Sequence, residues 1–148
     1  MMKKYLWLLL SVAIVACSST AQNNQKEQAK AVFDQAVAIY QQKNYAQALS
    51  LFAQASEMGH IKANRYIGLS YLNGTGVAKD VNKAFEQFSF AAERGDVTSK
   101  YWLGYCYENG LGTPKEMTKA VYWYQQAAKR TDHIGEPARD ALKRLGYH

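Results

Sequence analysis

The sequence predicts an all-α fold: a right-handed α-solenoid in which helix-turn-helix pairs stack in a row. Two observations lead to this fold class. Residues 65–96 match residues 101–132 at a shift of 36 positions, and the matched positions include glycines, tyrosines and a closing pair of alanines. Apolar residues within each segment recur three and four positions apart, which is the spacing of one face of an α-helix. A stack of such units presents an extended surface.

The first predicted helix pair begins at residue 29 and breaks at Lys43-Asn44. Gly59 suits the position just after a helix, so it is expected to end the second helix of this pair. Ala48, Phe52, Ala55 and Gly59 lie 36 residues before Ala84, Phe88, Ala91 and Gly95. This shorter unit, with its tight turn between the helices, resembles a tetratricopeptide repeat.

The second pair is predicted at about 61–72 and 81–94, and the third at about 97–108 and 116–130. Between the helices of these pairs lie the segments Asn73-Gly74-Thr75-Gly76 and Asn109-Gly110-Leu111-Gly112. Asn and Gly tolerate positive φ, so each segment can end one helix and redirect the chain. Pro137 fits the first turn of a last short amphipathic helix, which would cap the open stack.

Gly68 and Gly104 lie inside predicted helices, where Gly costs about 1 kcal/mol relative to Ala. A close approach between helices would offset that cost. Because Gly68 has no Cβ, we expect the Ala91 and Ala92 face of the partner helix to pack almost directly against the backbone at Gly68.

These residues identify a family resemblance. The pattern is similar to the Sel-1-like repeat, a 36-residue relative of the tetratricopeptide repeat, and it comprises Ile67-Gly68, Tyr71, Gly74-Thr75-Gly76, Lys83-Ala84, Phe88 and Ala91-Ala92. The unit that begins at residue 97 matches it as well, and the first unit is a divergent copy. The resemblance implies scaffold or adaptor work through protein binding. Gln87 stands where the family usually has Trp, and Thr131 replaces the closing Gly.

The amino-terminal segment is predicted to direct export. Lys3 and Lys4 precede an uncharged, largely apolar stretch of 11 residues, which is too short to span a bilayer. The next residues, Ile14-Val15-Ala16-Cys17, resemble the lipobox of bacterial lipoproteins, which implies acylation of Cys17. The alternative is an ordinary secretory signal with cleavage near Ser19 or Ala21. The predicted division is a signal peptide at 1–16, the lipidated Cys and a flexible tether at 17–28, and the repeat domain at 29–148.

Charge and composition exclude several function classes. Removal of residues 1–16 takes two of the 18 basic side chains and leaves 16 against 12 acidic ones, a mild net charge of +4. The basic residues are spread through the helices, so we expect no nucleic-acid partner. The sequence lacks catalytic motifs and metal-ligand spacings, so we expect neither an enzyme nor a cofactor. With Cys17 acylated, Cys106 is the only other thiol, and burial is the simplest interpretation of it.

Four residues are candidates for partner binding. Tyr66 and Trp102 lie 36 residues apart, as do Leu69 and Tyr105, so each pair occupies equivalent places on neighbouring first helices. They could form an apolar stripe on the concave face. Two interpretations stay open for them: aromatic residues at helical spacing are commonly core, and they can also anchor a peptide or helix in a groove. Phe90 and Tyr122 are weaker candidates on the opposite face.

The sequence therefore predicts a monomeric envelope lipoprotein that binds a protein or peptide in the periplasm as a scaffold or adaptor. Ser18 after the lipobox resembles lipoproteins sent to the outer membrane. The principal alternative is a periplasmic immunity or inhibitor protein that neutralises a secreted toxin. A third hypothesis, hydrolase activity, would need facing carboxylates or an activated Ser in a cleft.

Overall fold

The computed structural model describes residues 3–147, and for residues 3–18 it describes the backbone alone. Over this range the chain forms seven helices and no strand. The helices are α1 (Lys3–Gln41), α2 (Tyr45–Glu57), α3 (Ile61–Asn73), α4 (Val81–Glu93), α5 (Val97–Asn109), α6 (Met117–Ala128) and α7 (Glu136–Arg144). The predicted all-α solenoid of helix pairs is confirmed.

Each helix packs mainly against the helix before it and the helix after it in the chain. This order makes three hairpins, α1–α2, α3–α4 and α5–α6, and α7 comes after them. The odd-numbered helices consequently form one layer and the even-numbered helices the other. We call the outward surface of α1, α3, α5 and α7 the odd face, and that of α2, α4 and α6 the even face.

The core divides into three clusters, each formed where a helix pair meets the next element. Each cluster is centred on one large aromatic ring with no solvent exposure: Phe52, Phe88 and Tyr124. Alanines fill most of the remaining buried positions. Small residues beside one large ring let the two helices approach closely, which explains why alanine recurs at the same register positions in every unit.

The turns agree with the predicted chemistry. Gly59 has φ +92° after α2, and its N–H donates to the Ser56 carbonyl while that of His60 donates to Ala55, which is the Schellman arrangement. Gly74 and Gly110 end α3 and α5 in the left-handed region, with φ of +69° and +67°. The prediction that glycines end these helices is confirmed.

The glycines inside α3 and α5 do mark close approaches, but the neighbours differ from those expected. A Cβ on Gly68 would lie 2.6 Å from the Phe88 ring, and a Cβ on Gly104 would lie 2.8 Å from the Tyr124 ring. The prediction that Ala91 and Ala92 fill this space was wrong. The aromatic ring of the second helix can approach the glycine this closely because the glycine has only hydrogen where other residues carry a Cβ.

The tether prediction also differs from the structure. Residues 19–28 are exposed on every side and continue α1 as helix, with no coil. The segment has no Gly or Pro, and six of its ten residues, three Gln with one Ala, one Lys and one Glu, are good helix formers, so helix can extend beyond the packed region. Burial against the repeats begins at Ala29, which is 2% exposed.

The predicted signal peptide at 1–16 and the predicted lipidation of Cys17 fall where the side chains are not described. The division into signal peptide, tether and repeat domain stays a prediction. In the described part of the chain, no helix combines the length and apolar character that crossing a membrane requires.

The predicted last short amphipathic helix is present as α7 and packs on the third unit. α7 carries Pro137 in its first turn and packs against α6 through Ala138 and Ala141. Its last turn carries Lys143 and Arg144, which suit the negative end of the helix dipole.

Candidate partner-binding face

A groove of about 640 Å³ lies on the odd face between α3 and the turns that precede α5 and α7. We call it the basic groove because its lining contains four basic side chains and one acidic one. Its lining residues are Ile61, Lys62, Arg65, Tyr66, Leu69, Arg94, Gly95, Asp96, Val97, Thr98, Arg130 and Ile134. The apolar members come from both edges of the groove.

Two further cavities extend this face in both directions. One of about 410 Å³ lies between α1 and α3 and shares Lys62, Arg65 and Tyr66 with the basic groove. Another of about 480 Å³ lies between α5 and α7, where Tyr101 faces Asp140 and neighbouring residues of α7. The odd face is therefore a row of depressions along the stack rather than one closed pocket.

Tyr66 and Trp102 are half-buried and occupy the same position in consecutive units. The ring of Tyr66 stacks on Phe52 with centroids 4.5 Å apart, and Trp102 stacks on Phe88 at 5.9 Å. One side of each ring thus belongs to the core, and the rest reaches the odd face. Tyr66 and Trp102 therefore serve the core with one side of the ring and remain available for partner binding with the other, so each of the two interpretations applies to part of the side chain.

Leu69 and Tyr105 are also half-buried, but their surroundings differ. Leu69 packs against the second core cluster and lines the basic groove. Tyr105 lies outside the three core clusters, and its ring meets Trp102 edge-on at 5.6 Å. The structure therefore places Tyr66 and Leu69 in the basic groove, whereas Trp102 and Tyr105 lie outside its lining.

Asp96 organises the polar side of the basic groove. It is the N-cap of α5, where one carboxylate oxygen accepts from the Ser99 N–H at 2.9 Å and from the Ser99 hydroxyl at 2.7 Å. The other oxygen accepts from Arg65 at 3.3 Å. Both Asp96 oxygens are engaged, so the single acidic group of the lining is held in place and neutralised by Arg65.

Arg94 and Arg130 lie 36 residues apart, and the fold brings both to the basic groove. Arg130 pairs with Asp132 at 2.8 Å, whereas Arg94 lies over the Phe90 ring at 3.5 Å and donates to the Phe90 carbonyl. The basic residues are thus clustered here, whereas the sequence predicted them to be spread through the helices. The repeat period itself could have found this cluster, since residues one period apart stand side by side in a solenoid.

A second polar network joins α5, α6 and α7. Glu108 is 8% exposed and accepts from the Tyr124 hydroxyl at 2.6 Å and from Arg144 at 2.9 Å. The hydrogen bond from Arg144, opposed in part by burial, lowers the pKa of Glu108. Burial, reinforced by the hydrogen bond to Glu108, raises the pKa of Tyr124. The network fastens the capping helix to the third unit.

The remaining reactive groups are accounted for by packing. Cys106 is fully buried, and that burial raises the pKa of its thiol to about 12, so the thiolate needed for disulfide exchange is scarce. His60 stacks on Phe33 at 4.1 Å, and burial lowers its pKa. Among the described side chains, no three His, Cys, Asp or Glu residues stand close enough to share a metal ion.

The even face also exposes aromatic residues. Phe90 is 39% exposed on α4 and Tyr122 is 52% exposed on α6. The prediction that these two residues face away from the stripe agrees with their place on the even-numbered helices. Tyr122 is therefore a matched counterpart of Tyr105 on the other side of the molecule.

This combination of stacked helix pairs and a grooved face defines a helical-repeat protein of the tetratricopeptide-like class. A family model for the Sel1 repeat matches residues 34–60, 61–96 and 97–132, which is more than half of the chain. The chain belongs to the Sel1 repeat family. The shorter first unit is matched together with the two full-length ones.

Solved structures show the same architecture. A Sel1 repeat protein from Oxalobacter formigenes is 33% identical, with a TM-score of 0.72 over 82% of this chain and 51% of its own. A protective antigen of uropathogenic Escherichia coli strains, described as displaying an SLR fold, is 27% identical, with a TM-score of 0.71 over 84% of this chain and 29% of its own. Cysteine rich protein B of Helicobacter pylori, at 22% identity and a TM-score of 0.58, covers 79% of this chain and 96% of its own and shows the fold alone.

The chain spans about half of the length of the Oxalobacter protein and less of the Escherichia coli antigen. No curated protein sequence matches it. Sel1 repeat proteins generally act as scaffolds that bind protein partners, and they are typically not enzymes.

Proposed function

We propose that this protein is an interaction scaffold that binds a protein or peptide partner along its odd face. The row of three cavities between successive odd-numbered helices carries this proposal. Concave surfaces of this kind are what helical repeats generate, because each unit adds one more exposed helix to the same side. Half-buried aromatic rings with a locked inner edge suit binding, since little side-chain entropy is lost when a partner covers the outer edge.

Of the four predicted partner-binding residues, Tyr105 is the cleanest test of the odd face. It lies outside the core clusters, so its removal should leave packing largely intact. Trp102 is less suitable because it stacks on the buried Phe88 ring. Tyr66 and Leu69 likewise contact the core as well as the surface.

Purified Tyr105→Ala protein should lose most of its partner capture in a pull-down from detergent-solubilised bacterial envelopes, while its melting temperature stays close to that of the wild type. Tyr122→Ala, which removes an equally large ring from the even face, is the matched control and should capture normally. Loss of capture in the control, with normal capture by Tyr105→Ala, would move the binding surface to the even face and end the proposal.

The stoichiometry of the captured complex separates two roles. Several partners of modest affinity are expected of a scaffold or adaptor. A single nanomolar, one-to-one complex with a secreted toxin would instead favour the alternative of a periplasmic immunity protein.

We further propose that the protein is a monomeric lipoprotein of the bacterial cell envelope, attached through Cys17, with the repeats in the periplasm and the anchor in the outer membrane. The support is the lipobox-like sequence at residues 14–17 and the Ser after it. More than one acyl chain on Cys17 would anchor the protein stably, because each buried CH₂ contributes about 0.8 kcal/mol. The exposed helical residues 19–28 stand between that anchor and the first buried residue of the repeats.

Metabolic labelling with an alkyne-bearing palmitate, combined with fractionation of inner and outer membranes, tests the anchor. The wild-type chain should be labelled and sediment with outer membranes, and Cys17→Ser should be unlabelled. Cys106→Ser keeps Cys17 and should behave as the wild type. An unlabelled wild type of reduced mass would favour an ordinary secretory signal instead.

A further inference from the structure

We propose that the basic groove binds an extended acidic segment of a partner protein, in which apolar side chains alternate with carboxylates. This inference rests on the proposed scaffold function, because it names the chemistry of the partner that the odd face selects. It is supported by the charge of the lining, the availability of two cations and the apolar floor.

The charge of the basic groove is one-sided. Lys62, Arg65, Arg94 and Arg130 line it, and Asp96 is the one acidic member of the lining. Even with Arg65 paired to Asp96 and Arg130 paired to Asp132, the groove keeps a net positive charge. The low-dielectric walls of a concave surface focus the field of such a charge, so its potential is stronger than on a flat surface. An anionic ligand is therefore attracted to this part of the odd face and a cationic one is repelled.

Two of these four cations already have partners. Arg65 is bound to Asp96, and Arg130 is bound to Asp132, which lies outside the lining. In the last unit Tyr101 on α5 occupies the position that Arg65 has on α3. Asp132 therefore meets no arginine at that position and pairs with Arg130 instead.

Lys62 and Arg94 remain available. Neither forms an ion pair with any carboxylate among the described residues. Arg94 uses one N–H on the Phe90 carbonyl, and its guanidinium lies over the Phe90 ring at 3.5 Å. Its remaining donors have no carboxylate partner, so Arg94 can turn from that ring toward an anion in the groove that it lines. Asp96, two positions after Arg94 in the sequence, forms its ion pair with Arg65 and not with Arg94.

The lining of the basic groove also contains apolar side chains, and we call Tyr66 and Leu69 its floor. Both belong to α3, as Lys62 does, and both pack against the core on one side. Arg94 lines the groove from the α4–α5 turn. A peptide strand alternates its side chains between two sides with period two, so carboxylates can meet the cations at the rim while apolar side chains meet this floor. The neighbouring cavity shares Lys62 and Tyr66, and its one carboxylate, Asp34, is paired with Lys30, so the same strand can continue toward α1.

Three fluorescein-labelled peptides of eight residues provide the probe: alternating glutamate and leucine, alternating glutamine and leucine, and alternating lysine and leucine. Fluorescence anisotropy with the full chain should rank them acidic, neutral, basic, with at least about tenfold between the first two, corresponding to about 1.4 kcal/mol. Raising the salt concentration should weaken the acidic peptide most, because exposed charges are screened.

The double variant Lys62→Gln with Arg94→Gln should bring the affinity for the acidic peptide down to that for the glutamine peptide. Lys26→Gln with Lys143→Gln is the matched control, since it removes the same charge from positions outside the groove. The control should keep the affinity of the wild type within about twofold.

Equal affinity for the three peptides, no binding of the acidic one, or equal loss in both double variants would overturn the inference. Binding of phosphatidylglycerol vesicles that Lys62→Gln with Arg94→Gln abolishes, with the acidic peptide unaffected, would overturn it in favour of a lipid surface. The scaffold proposal stands or falls separately: if capture still depends on Tyr105 while the peptides bind equally, the odd face binds a partner without charge selection.

Discussion

The units at residues 61–96 and 97–132 share backbone, register and burial, yet their interiors differ in chemistry. Leu72 and Glu108 occupy equivalent positions and each is 8% exposed. Phe88 and Tyr124 are also equivalent, and both are fully buried. The interior of the first of these units therefore contains the apolar pair Leu72 and Phe88, and that of the second contains the hydrogen-bonded pair Glu108 and Tyr124, of similar size.

The two interiors differ because each unit packs against a different neighbour on its carboxyl-terminal side. The unit at 61–96 meets another helix pair, and Leu72 and Phe88 join a core cluster that includes Leu103 of α5. The unit at 97–132 meets the lone helix α7, whose Arg144 stands 36 residues after Glu108 and binds it with two contacts of 2.8 and 2.9 Å. The repeat period fixes which positions are buried, and the next element determines whether they are apolar or polar.

The largest expected effect comes from disrupting the feature that both units share, an interior glycine packed against a buried aromatic ring. Gly104→Leu places a side chain against the buried Tyr124 ring and the Ala120 carbonyl, where even a Cβ would lie 2.8 and 3.1 Å away. We expect a loss of about 3 kcal/mol or more in the free energy of unfolding. Gly68→Leu should cost a similar amount, because the Phe88 ring is equally close.

Urea denaturation monitored by circular dichroism measures this loss. Gln125→Leu, on the exposed side of α6, adds the same side chain without a clash and should stay near the wild type. A wild-type midpoint for Gly104→Leu would show that the ring can move aside, contrary to the packing argument.

The next effect exchanges the polar pair for its apolar counterparts. Glu108→Leu alone leaves the buried Tyr124 hydroxyl without its acceptor and should cost about 2 kcal/mol. Adding Tyr124→Phe removes that unpaired hydroxyl, and most of the loss should be recovered, because an apolar pair of similar shape can replace a buried polar one. Arg144 can turn to water, since its side chain is already 57% exposed.

Thermal unfolding of the wild type, both single variants and the double variant gives the coupling energy between the two positions. Additive losses, with no recovery in the double variant, would contradict the assignment of Glu108 and Tyr124 to one network.

A smaller expected effect is a pH dependence of stability that only the unit with Glu108 contributes. The folded state lowers the pKa of Glu108, so its stabilisation is present above the unfolded pKa, about 4.3, and is lost as the pH falls through the lower folded value. The melting temperature of the wild type should therefore fall between pH 5 and pH 3. The Glu108→Leu, Tyr124→Phe double variant should fall less, and an equal fall in both proteins would show that Glu108 contributes nothing to this pH dependence.

The smallest effect exchanges a pair that differs by one atom. Cys106 and Ser70 are equivalent and both are buried. Cys106→Ser should lower the free energy of unfolding by only about 1 kcal/mol, because the hydroxyl can donate to the carbonyl one turn earlier in α5. Urea denaturation measures it, and a loss as large as that of Gly104→Leu would mean that the sulfur fills space that oxygen cannot.

Much of the fold could be predicted from the sequence because the repeat supplies the same information more than once. The glycines at 59, 74 and 110, the interior glycines at 68 and 104, and the helix pairs were all predicted from recurring positions. The neighbours of Gly68 and Gly104 were not, because a repeat shows that a position is crowded without showing which side chain fills it. The helix at 19–28 was not predicted because the segment lacks apolar periodicity; the signal that indicates it is the helix propensity of its Gln, Ala, Lys and Glu residues.

The candidate site was predicted only in part. Tyr66, Leu69, Trp102 and Tyr105 do reach the odd face, but the inner edges of the first three belong to the core, a division that no helical periodicity reveals. The basic groove was missed because Lys62 and Arg94 are far apart in sequence and on different elements. Which cations of the groove lack a carboxylate partner also depends on Asp96. Its hydrogen bond to the first turn of α5 and its ion pair with Arg65 form only in the folded chain.

Site-specific photo-cross-linking tests the central claim most directly. A benzophenone amino acid placed at Tyr105 on the odd face, and in a second protein at Tyr122 on the even face, is irradiated in living cells and the adducts are resolved by mass. The account predicts a discrete adduct of the protein with its partner from position 105 and none from position 122. A discrete adduct from position 122 with none from position 105 would contradict it.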